Sequence, residues 1–191
     1  MKTILTVLTV AALATAAQAD IFSDNFDTEN SGNEALNYSG LANWTVSNGT
    51  IDLIGNGGTY DFLPGNGLYI DLDGSTSNAG ELMSLSIFLT PGSYTLSYDL
   101  AGSHRGSDET VDVTFGGAPT ANHFIPSAQG FTTYSINLNV VVAGNVTITF
   151  QNLSNDNIGA LLDNVSVVPT PGSAALMGLG GLALARRRRQ A

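Results

Sequence analysis

The sequence contains no cysteine, few histidines and few basic residues. Without cysteine the chain can form no disulfide and offers no thiolate to a metal, and two histidines do not supply a zinc site. Only 6 Lys and Arg residues stand against 16 Asp and Glu residues, which gives a net charge of −10. Because binding to a nucleic-acid backbone needs clustered positive charge, this balance excludes nucleic acid as a partner.

The few basic residues are confined almost entirely to the ends of the chain. Lys2 lies at the N-terminus and four arginines occupy residues 186–189, so Arg105 is the one basic residue in between. All acidic residues lie between Asp20 and Asp163. The central segment is therefore strongly acidic, which favours solubility and bound cations.

The N-terminus has the pattern of a secretory signal peptide. Lys2 is followed by an apolar run over residues 4–17, which closes on the small residues Ala17 and Ala19. This pattern predicts export through the Sec translocon and cleavage by signal peptidase before Asp20. A buried N-terminal helix is the alternative, but the run shows no amphipathic pattern.

The C-terminus has the pattern of a membrane segment that stops at positive charge. An uncharged run over residues 171–185 leads into four consecutive arginines, which are Arg186, Arg187, Arg188 and Arg189. Arginines at this position predict that the end is retained on the cytoplasmic side. The run contains four glycines and falls short of the roughly 20 apolar residues of a spanning helix, so a transient anchor is expected, with permanent anchoring as the alternative. A frayed basic tail that touches acidic polymer is the alternative.

A proline-rich motif precedes the apolar run and consists of Pro169, Thr170, Pro171 and Gly172. Together with the run and the arginines, it resembles the PEP-CTERM sorting signal, which combines a Pro-Glu-Pro motif, a membrane helix and a basic end. The resemblance implies processing by an exosortase, a membrane protease-transpeptidase of bacteria that make exopolysaccharide. Thr170 stands where the family has glutamate, which leaves a variant sorting enzyme or simple anchoring as alternatives.

The segment between the terminal signals, residues 20–168, is predicted to be one all-β domain. Short alternating runs rich in Thr, Val, Ile and Tyr are separated by Gly, Asn and Pro, and none has helical periodicity. Strands are predicted over 44–46, 50–54, 67–73, 81–89, 93–100, 110–115, 134–140, 145–151 and 160–167. The first two flank Ser47, Asn48 and Gly49, which predicts a hairpin. Strands of this number and length favour a two-sheet antiparallel sandwich, a jelly roll.

Three segments of this domain carry a second resemblance: residues 68–75, 89–102 and 159–167. They resemble the galactose-binding-like jelly rolls of secreted carbohydrate-binding modules, in many of which a structural calcium lies where the first strand meets the last. The resemblance therefore implies calcium as a cofactor, with the candidate ligands Asp24, Asp27, Glu29 and Asp163. Solvated loop and edge acids are the alternative. Residues 71–81 are interpreted as a strand end and a Gly-rich turn rather than as a second calcium loop.

A polar loop between two predicted strands, residues 103–109, is the candidate ligand-binding loop. It holds His104 and Arg105, and an arginine can bind the carboxylate of a uronic acid through paired hydrogen bonds. The alternative for Arg105 is a salt bridge to a nearby acid, such as Asp108 or Glu109.

The aromatic residues are candidates for stacking on sugar rings. Most of them lie at alternating strand positions and are expected in the core. Tyr60 follows two glycines and is expected to be exposed, which makes it the third candidate ligand-binding residue. His123 is expected in a turn.

The motifs of common enzyme classes are absent from the sequence: it has no Gly-x-Ser-x-Gly elbow, no His-Glu-x-x-His and no P-loop. The chain is therefore expected to be a non-catalytic protein of the cell surface or extracellular matrix that binds polysaccharide or forms part of the matrix. Two alternatives stay open. One is a surface glycoside hydrolase or lyase, whose carboxylate pair needs no local motif. The other is a purely structural or adhesive coat protein.

Overall fold

The computed structural model describes residues 19–76, 78–154 and 156–170, and within them the chain is all-β. A single turn of 3-10 helix spans Glu29–Gly32. The strands are β1 Phe22–Asp24, β2 Trp44–Ser47, β3 Asp52–Gly55, β4 Leu68–Asp71, β5 Glu81–Ser84, β6 Ile87–Leu89, β7 Gly92–Ala101, β8 Glu109–Phe115, β9 Ala121–Ile125, β10 Thr132–Val140, β11 Gly144–Val146, β12 Ile148–Asn152 and β13 Leu161–Pro169. No helix in these ranges is long and apolar enough to cross a membrane.

The strands form two antiparallel sheets that pack face to face. The first sheet has the order β10-β7-β13-β4-β3, with β1 paired to β13, and the second has the order β2-β5-β12-β8-β9. A separate two-stranded ribbon joins β6 to β11. The predicted two-sheet antiparallel sandwich is confirmed.

The core lies between the two sheets and follows the alternation that the sequence shows. In β7 the side chains of Tyr94, Leu96, Tyr98 and Leu100 are buried, while the residues between them face outward. Trp44 is 2% exposed and packs against the rings of three phenylalanines at centroid distances of 5.5–6.0 Å. Burial of these rings, together with the aliphatic side chains of the core, holds the sheets together through the hydrophobic effect.

The predicted hairpin over residues 44–54 is wrong. β2 pairs with β5 in the second sheet, whereas β3 pairs with β4 in the first. The connection between them crosses from one sheet to the other, and its Ile51 is fully buried. A Cβ on Gly49 would lie 2.4 Å from a backbone oxygen of the 78–79 segment, so glycine serves a close backbone approach here rather than a hairpin turn.

Two further predictions are corrected in the second sheet and its neighbours. The single strand expected over residues 81–89 divides into β5 and β6, and these strands belong to different sheets. His123 lies in the edge strand β9 instead of a turn. Its Nε2 is 2.7 Å from the Tyr98 hydroxyl and its ring packs on Tyr134, so tertiary contacts hold this strand in place.

The last strand continues into the predicted sorting motif. β13 ends at Pro169, and the backbone N–H of Thr170 donates to the Ser93 carbonyl at 2.7 Å. The first two residues of that motif therefore belong to the sandwich. Residues 1–18 of the predicted signal peptide, Ala17 among them, lie outside the described residues, whereas Ala19 and Asp20 at the predicted cleavage site are described and exposed. The described residues also leave out the motif residues Pro171 and Gly172, the apolar run and the arginine cluster.

The outer face of the first sheet is partly covered by the loop over residues 56–67. Ile54 and Tyr69 point away from the main core and form a second buried cluster with Ala101 and Leu161, against which Phe62 packs. The Tyr69 hydroxyl donates to Asp61 at 3.0 Å, which attaches the loop to β4. This loop forms one wall of the candidate site.

Candidate functional site

An ion pair between Arg105 and Asp71 lies at the centre of the candidate site. The Arg105 Nη2 donates to the Asp71 Oδ2 at 2.6 Å, and the guanidinium carbon lies 5.4 Å from the centre of the Phe62 ring. The side chain of Asp71 is 3% exposed and that of Arg105 is 28% exposed. The guanidinium is therefore held between a buried carboxylate and an aromatic ring, with one edge facing solvent.

The loop that carries Arg105 has a tightly specified backbone. His104 and Gly106, which flank it, both have positive φ, at 53° and 92°. The Ser103 hydroxyl donates to the Ser107 carbonyl at 2.8 Å and lies 3.2 Å from the Ser127 hydroxyl. These bonds fix the direction in which Arg105 leaves the loop, so its guanidinium is positioned in advance of any ligand.

A small pocket joins Arg105 to the exposed Tyr60. Its volume is about 30 Å³. It is lined by Leu36, Asp52, Ile54, Tyr60, Phe62, Asp71, Ser75 and Arg105. The Tyr60 side chain is 41% exposed, as the sequence predicts. This cavity, the Arg105 pocket, is about the size of one water molecule, so it can admit a single polar group but not a sugar ring.

The floor of the Arg105 pocket is acidic. Asp52 and Asp71 lie opposite each other in the β3–β4 pair. Burial raises the pKa of Asp71 well above its ordinary range, Arg105 acts against this rise, and the charge of Asp52 adds to it. Asp52 accepts hydrogen bonds from the Ser75 hydroxyl at 2.7 Å and from two backbone N–H groups. These bonds keep its oxygens engaged within the protein.

The structure brings together two of the three predicted ligand-binding residues. Tyr60 and Arg105 line one pocket, whereas the His104 Nε2 lies 3.2 Å from the Gln129 carbonyl, outside that lining. Arg105 pairs with Asp71, 34 positions away in sequence, rather than with Asp108 or Glu109. Phe62 and Asp71 were missed as site residues, and no local sequence signal identifies them because only the tertiary fold brings the 56–67 loop and β4 to this arginine.

The four predicted calcium ligands lie near the junction of β1 and β13, but most of their oxygens are occupied. Asp24 accepts from the Trp44 Nε1 at 2.9 Å and from the Phe26 N–H at 2.9 Å. Asp27 accepts from the Leu68 N–H at 2.9 Å, and Glu29 accepts from the backbone N–H of residue 42 at 2.9 Å. These acids therefore act as structural hydrogen-bond acceptors.

Asp163 is the most deeply buried of the four predicted ligands. It is 2% exposed and accepts one local hydrogen bond, from the N–H of Asn164 at 2.7 Å. Burial raises its pKa to about 7, with further contributions from the charges of Asp27, Asp99 and Asp24. An open polar groove of about 530 Å³ lies nearby and is lined by Asp20, Ser23, Asp24, Asn25, Thr28, Asn43, Asn164, Val165 and Ser166.

These positions do not fit a calcium site as they stand. In the part of the chain that the structure describes, no three His, Cys, Asp or Glu side chains lie close enough together to hold a metal ion. Both oxygens of Asp24 and of Asp27 accept hydrogen bonds, which would compete with metal contacts. Calcium at the β1–β13 junction thus stays a prediction from the sequence.

Comparison with known proteins gives matches among solved structures only. No family model matches the sequence, and no curated protein matches it. The xylan-binding domain CBM22-1 of Xyn10C from Paenibacillus barcinonensis aligns with a TM-score of 0.54 and 14% identity, over 83% of this chain and 99% of that domain. The CBM22-1 and GH10 modules of Clostridium thermocellum Xyn10B, in complex with xylohexaose, align at 0.51 and 13%, over 82% of this chain and 29% of that one.

A third similar structure is an adhesin domain. The K3 cleaved adhesin domain of Lys-gingipain from Porphyromonas gingivalis aligns with a TM-score of 0.51 and 16% identity, over 78% of this chain and 99% of that domain. At these identities the likeness concerns the fold alone. The predicted jelly-roll fold is confirmed: this chain shares the all-β sandwich of these carbohydrate-binding and adhesin domains.

Proposed function

We propose that this chain is an exported, non-catalytic protein of the bacterial cell surface or extracellular matrix that binds polysaccharide across the Arg105 pocket. The observation that carries the proposal is the juxtaposition of an exposed Tyr60 ring with a fixed, partly exposed Arg105 guanidinium. A ring and a polar hydrogen-bonding group side by side are what a sugar needs, since a pyranose presents an apolar face and polar edges. The fold shared with a xylan-binding domain supports the proposal by analogy.

The size of the pocket determines how a glycan would bind. A cavity of about 30 Å³ accepts one hydroxyl or hydroxymethyl group, while the sugar ring lies outside against Tyr60. The guanidinium has five N–H donors. Within the described ranges one of its hydrogen bonds to a side chain is formed, the bond to Asp71. The remaining donors are available for glycan hydroxyls.

The local charge favours a neutral polysaccharide over a uronic acid. Asp71 already compensates Arg105, and Asp52 adds a second carboxylate to the pocket floor. The whole chain is also acidic, with a net charge of −10. These negative charges would repel an anionic sugar, whereas the hydroxyl groups of a neutral sugar bind without that electrostatic cost. This preference differs from the uronate that the sequence suggested for Arg105.

The carboxylates of the pocket do not favour the alternative of a glycoside-acting enzyme. Asp52 and Asp71 are 6% and 2% exposed. Each of their oxygens accepts a hydrogen bond from the protein: those of Asp52 from Ser75 and the backbone, and those of Asp71 from Arg105 and the N–H of Asp73. A general acid and its partner need access to the glycosidic bond.

Export and surface attachment are proposed from the two terminal segments.

The proposal is tested by retention of the full-length chain on insoluble polysaccharides, among them neutral xylan and an acidic polyuronate. The variant Tyr60→Ala removes the stacking surface without opening the core, and it is expected to lower affinity about tenfold, which corresponds to roughly 1.4 kcal/mol. Phe124→Ala is the matched control, because Phe124 is 64% exposed on β9, in the other sheet.

Three results would contradict the proposal. One is the absence of retention on any polymer by a folded chain, which would leave the structural coat protein. Another is equal retention of the wild type and Tyr60→Ala, which would place binding elsewhere. The third is loss of retention in Phe124→Ala alone, which would assign binding to the outer face of the second sheet.

A further inference from the structure

A second acidic cluster, formed by two buried carboxylates, lies next to Asp71, whose Oδ1 accepts from the N–H of Asp73 at 3.1 Å while its Oδ2 accepts from Arg105. Asp73 follows β4 and is 0% exposed, and Glu109 begins β8 and is 1% exposed. Carboxylates are rarely buried so completely unless a partner compensates their charge. Each of these two has one oxygen, Oδ1 of Asp73 and Oε1 of Glu109, with no hydrogen-bond partner in the described parts of the chain.

The two carboxylates converge on one hydroxyl. The Ser154 Oγ lies 2.7 Å from Glu109 Oε2, 3.5 Å from Asp73 Oδ2 and 3.1 Å from the Ile158 carbonyl oxygen. A serine hydroxyl carries one hydrogen and can satisfy only one of these three acceptors. The Asn152 Nδ2 adds donors to Glu109 at 3.0 Å and to Ser154 at 2.5 Å.

The cluster therefore contains more buried oxygen acceptors than hydrogen-bond donors. Apart from Ser154 and Asn152, the donors on this side in the described ranges are two backbone N–H groups, that of Asp156 at 3.1 Å from Asp73 Oδ2 and that of Asn157, and both serve Asp73. Arg105 is bonded to Asp71 and does not reach these oxygens by a hydrogen bond within the described ranges. A buried carboxylate without a compensating charge costs several kcal/mol, so the arrangement lacks a positive charge.

We propose that Asp73 and Glu109 bind a divalent cation, of which Ca²⁺ fits best. No three acidic or other metal-binding side chains lie together among the described residues, so this site would combine two carboxylates with two neutral oxygen ligands, the Ser154 hydroxyl and the Ile158 carbonyl, and with water. Calcium accepts six to eight such ligands, carboxylate and neutral, and completes its shell with water. The site differs from the predicted β1–β13 calcium site, which uses Asp24, Asp27, Glu29 and Asp163, and it does not depend on polysaccharide binding.

The position of the cluster gives the cation a structural role. Asp73 follows a strand of the first sheet, Glu109 belongs to the second sheet, and Ser154 and Ile158 lie in the connection from β12 to β13. A Cβ on Gly159 would lie 2.3 Å from both the Asp71 Oδ1 and the Asp73 N, so this connection packs closely on the Asp71–Asp73 segment. A bound cation joins the two sheets and this connection at one end of the sandwich.

The test is calorimetric titration of the chelator-treated, full-length chain with CaCl₂, together with thermal unfolding in 10 mM CaCl₂ and in EDTA. We expect a Kd on the order of 10⁻⁴ to 10⁻³ M, the range of weak calcium sites. By linkage, 10 mM calcium raises the Tm of the wild type by about 5 °C. Magnesium, which demands a stricter octahedral geometry, gives a smaller rise.

Three variants locate the site. In Asp73→Asn/Glu109→Gln, amides replace the carboxylates at nearly constant shape, so the calcium-dependent rise in Tm is lost while the Tm in EDTA stays at or above that of the wild type. The single variant Glu109→Gln weakens calcium binding at least tenfold and serves if the double variant does not fold. Asp163→Asn, which changes the rival site, keeps the full calcium response.

Two results would overturn the proposal. The first is a wild-type chain that shows neither heat of binding nor a change in Tm at 10 mM calcium, which would mean that protons alone neutralise the cluster. The second is a calcium response that persists in Asp73→Asn/Glu109→Gln but disappears in Asp163→Asn, which would move the cation to the β1–β13 junction.

Discussion

Replacing Asp163 by asparagine is expected to change how the stability of the protein depends on pH. The carboxyl of Asp163 has a pKa of about 7 in the folded chain, against an ordinary value of 3.8. At a pH between these two pKa values, Asp163 keeps its proton in the folded state but has lost it in the unfolded chain. The neutral form therefore favours folding at low pH, and this contribution is lost as the pH rises through about 7.

The size of the effect follows from the separation of the two values. Each pH unit between the folded and unfolded pKa corresponds to about 1.36 kcal/mol, so ionisation of Asp163 costs roughly 4 kcal/mol above pH 7. In Asp163→Asn the side chain stays neutral and can still accept from the Asn164 N–H. The variant should match the wild type near pH 4 and exceed it by an amount on the order of 4 kcal/mol at pH 8.

Urea unfolding in EDTA at several pH values between 4 and 8.5 measures this difference. Trp44 is the one tryptophan and is 2% exposed, so its fluorescence reports unfolding. Asp112→Asn is the control, because Asp112 lies on the outer face of β8 and accepts from Asn122 at 2.7 Å. A difference between wild type and Asp163→Asn that does not vary with pH would refute the reasoning. The same measurement at pH 8 with calcium in place of EDTA tests the calcium prediction. If calcium raises the free energy of unfolding of the wild type but not of Asp163→Asn, the ionised Asp163 is a calcium ligand.

Two further predictions concern contacts of β4 and β7. Arg105→Ala leaves Asp71 buried without its counter-ion and should lower the free energy of unfolding by about 3 kcal/mol. Arg105→Lys keeps the positive charge and should lower it by less. Equal losses of the two variants in urea unfolding would contradict the role of the ion pair. Tyr98→Phe removes the 2.7 Å contact of the Tyr98 hydroxyl with His123 and should cost about 1 kcal/mol in the same assay. An unchanged stability would show that this hydrogen bond adds nothing net.

The fold class follows from the sequence because burial on one face of a strand imposes a period of two. The alternation around Tyr94, Leu96 and Tyr98 predicts β7 nearly to its ends, and similar runs predict β8, β10 and β13. β1 and β9 are short or half-exposed edge strands, and their sequences lack this contrast. Asn48 and Gly49 predict that the chain turns between β2 and β3. Such turn residues do not indicate whether the two strands that flank the turn pair with each other, and here they do not.

The candidate site could be predicted only in part. Arg105 is visible as the single basic residue of an acidic segment, and Tyr60 follows two glycines that favour an exposed loop. The spacing of these residues does not show that they are neighbours in space. Tyr60 lies on the loop over residues 56–67, Asp71 on β4 and Arg105 on the connection from β7 to β8. Asp73 and Glu109 likewise come together only because the two sheets meet at that end of the sandwich.

By itself, the sequence determined the all-β class, the acidic character and the absence of disulfides, because these depend on composition and on local periodicity. Its terminal patterns also predict export and sorting. The tertiary structure decided which strands are neighbours, which carboxylate compensates Arg105 and which acids are left buried without a partner. These outcomes depend on contacts between residues far apart in the chain, where burial raises the cost of every unpaired charge, and no local pattern records them.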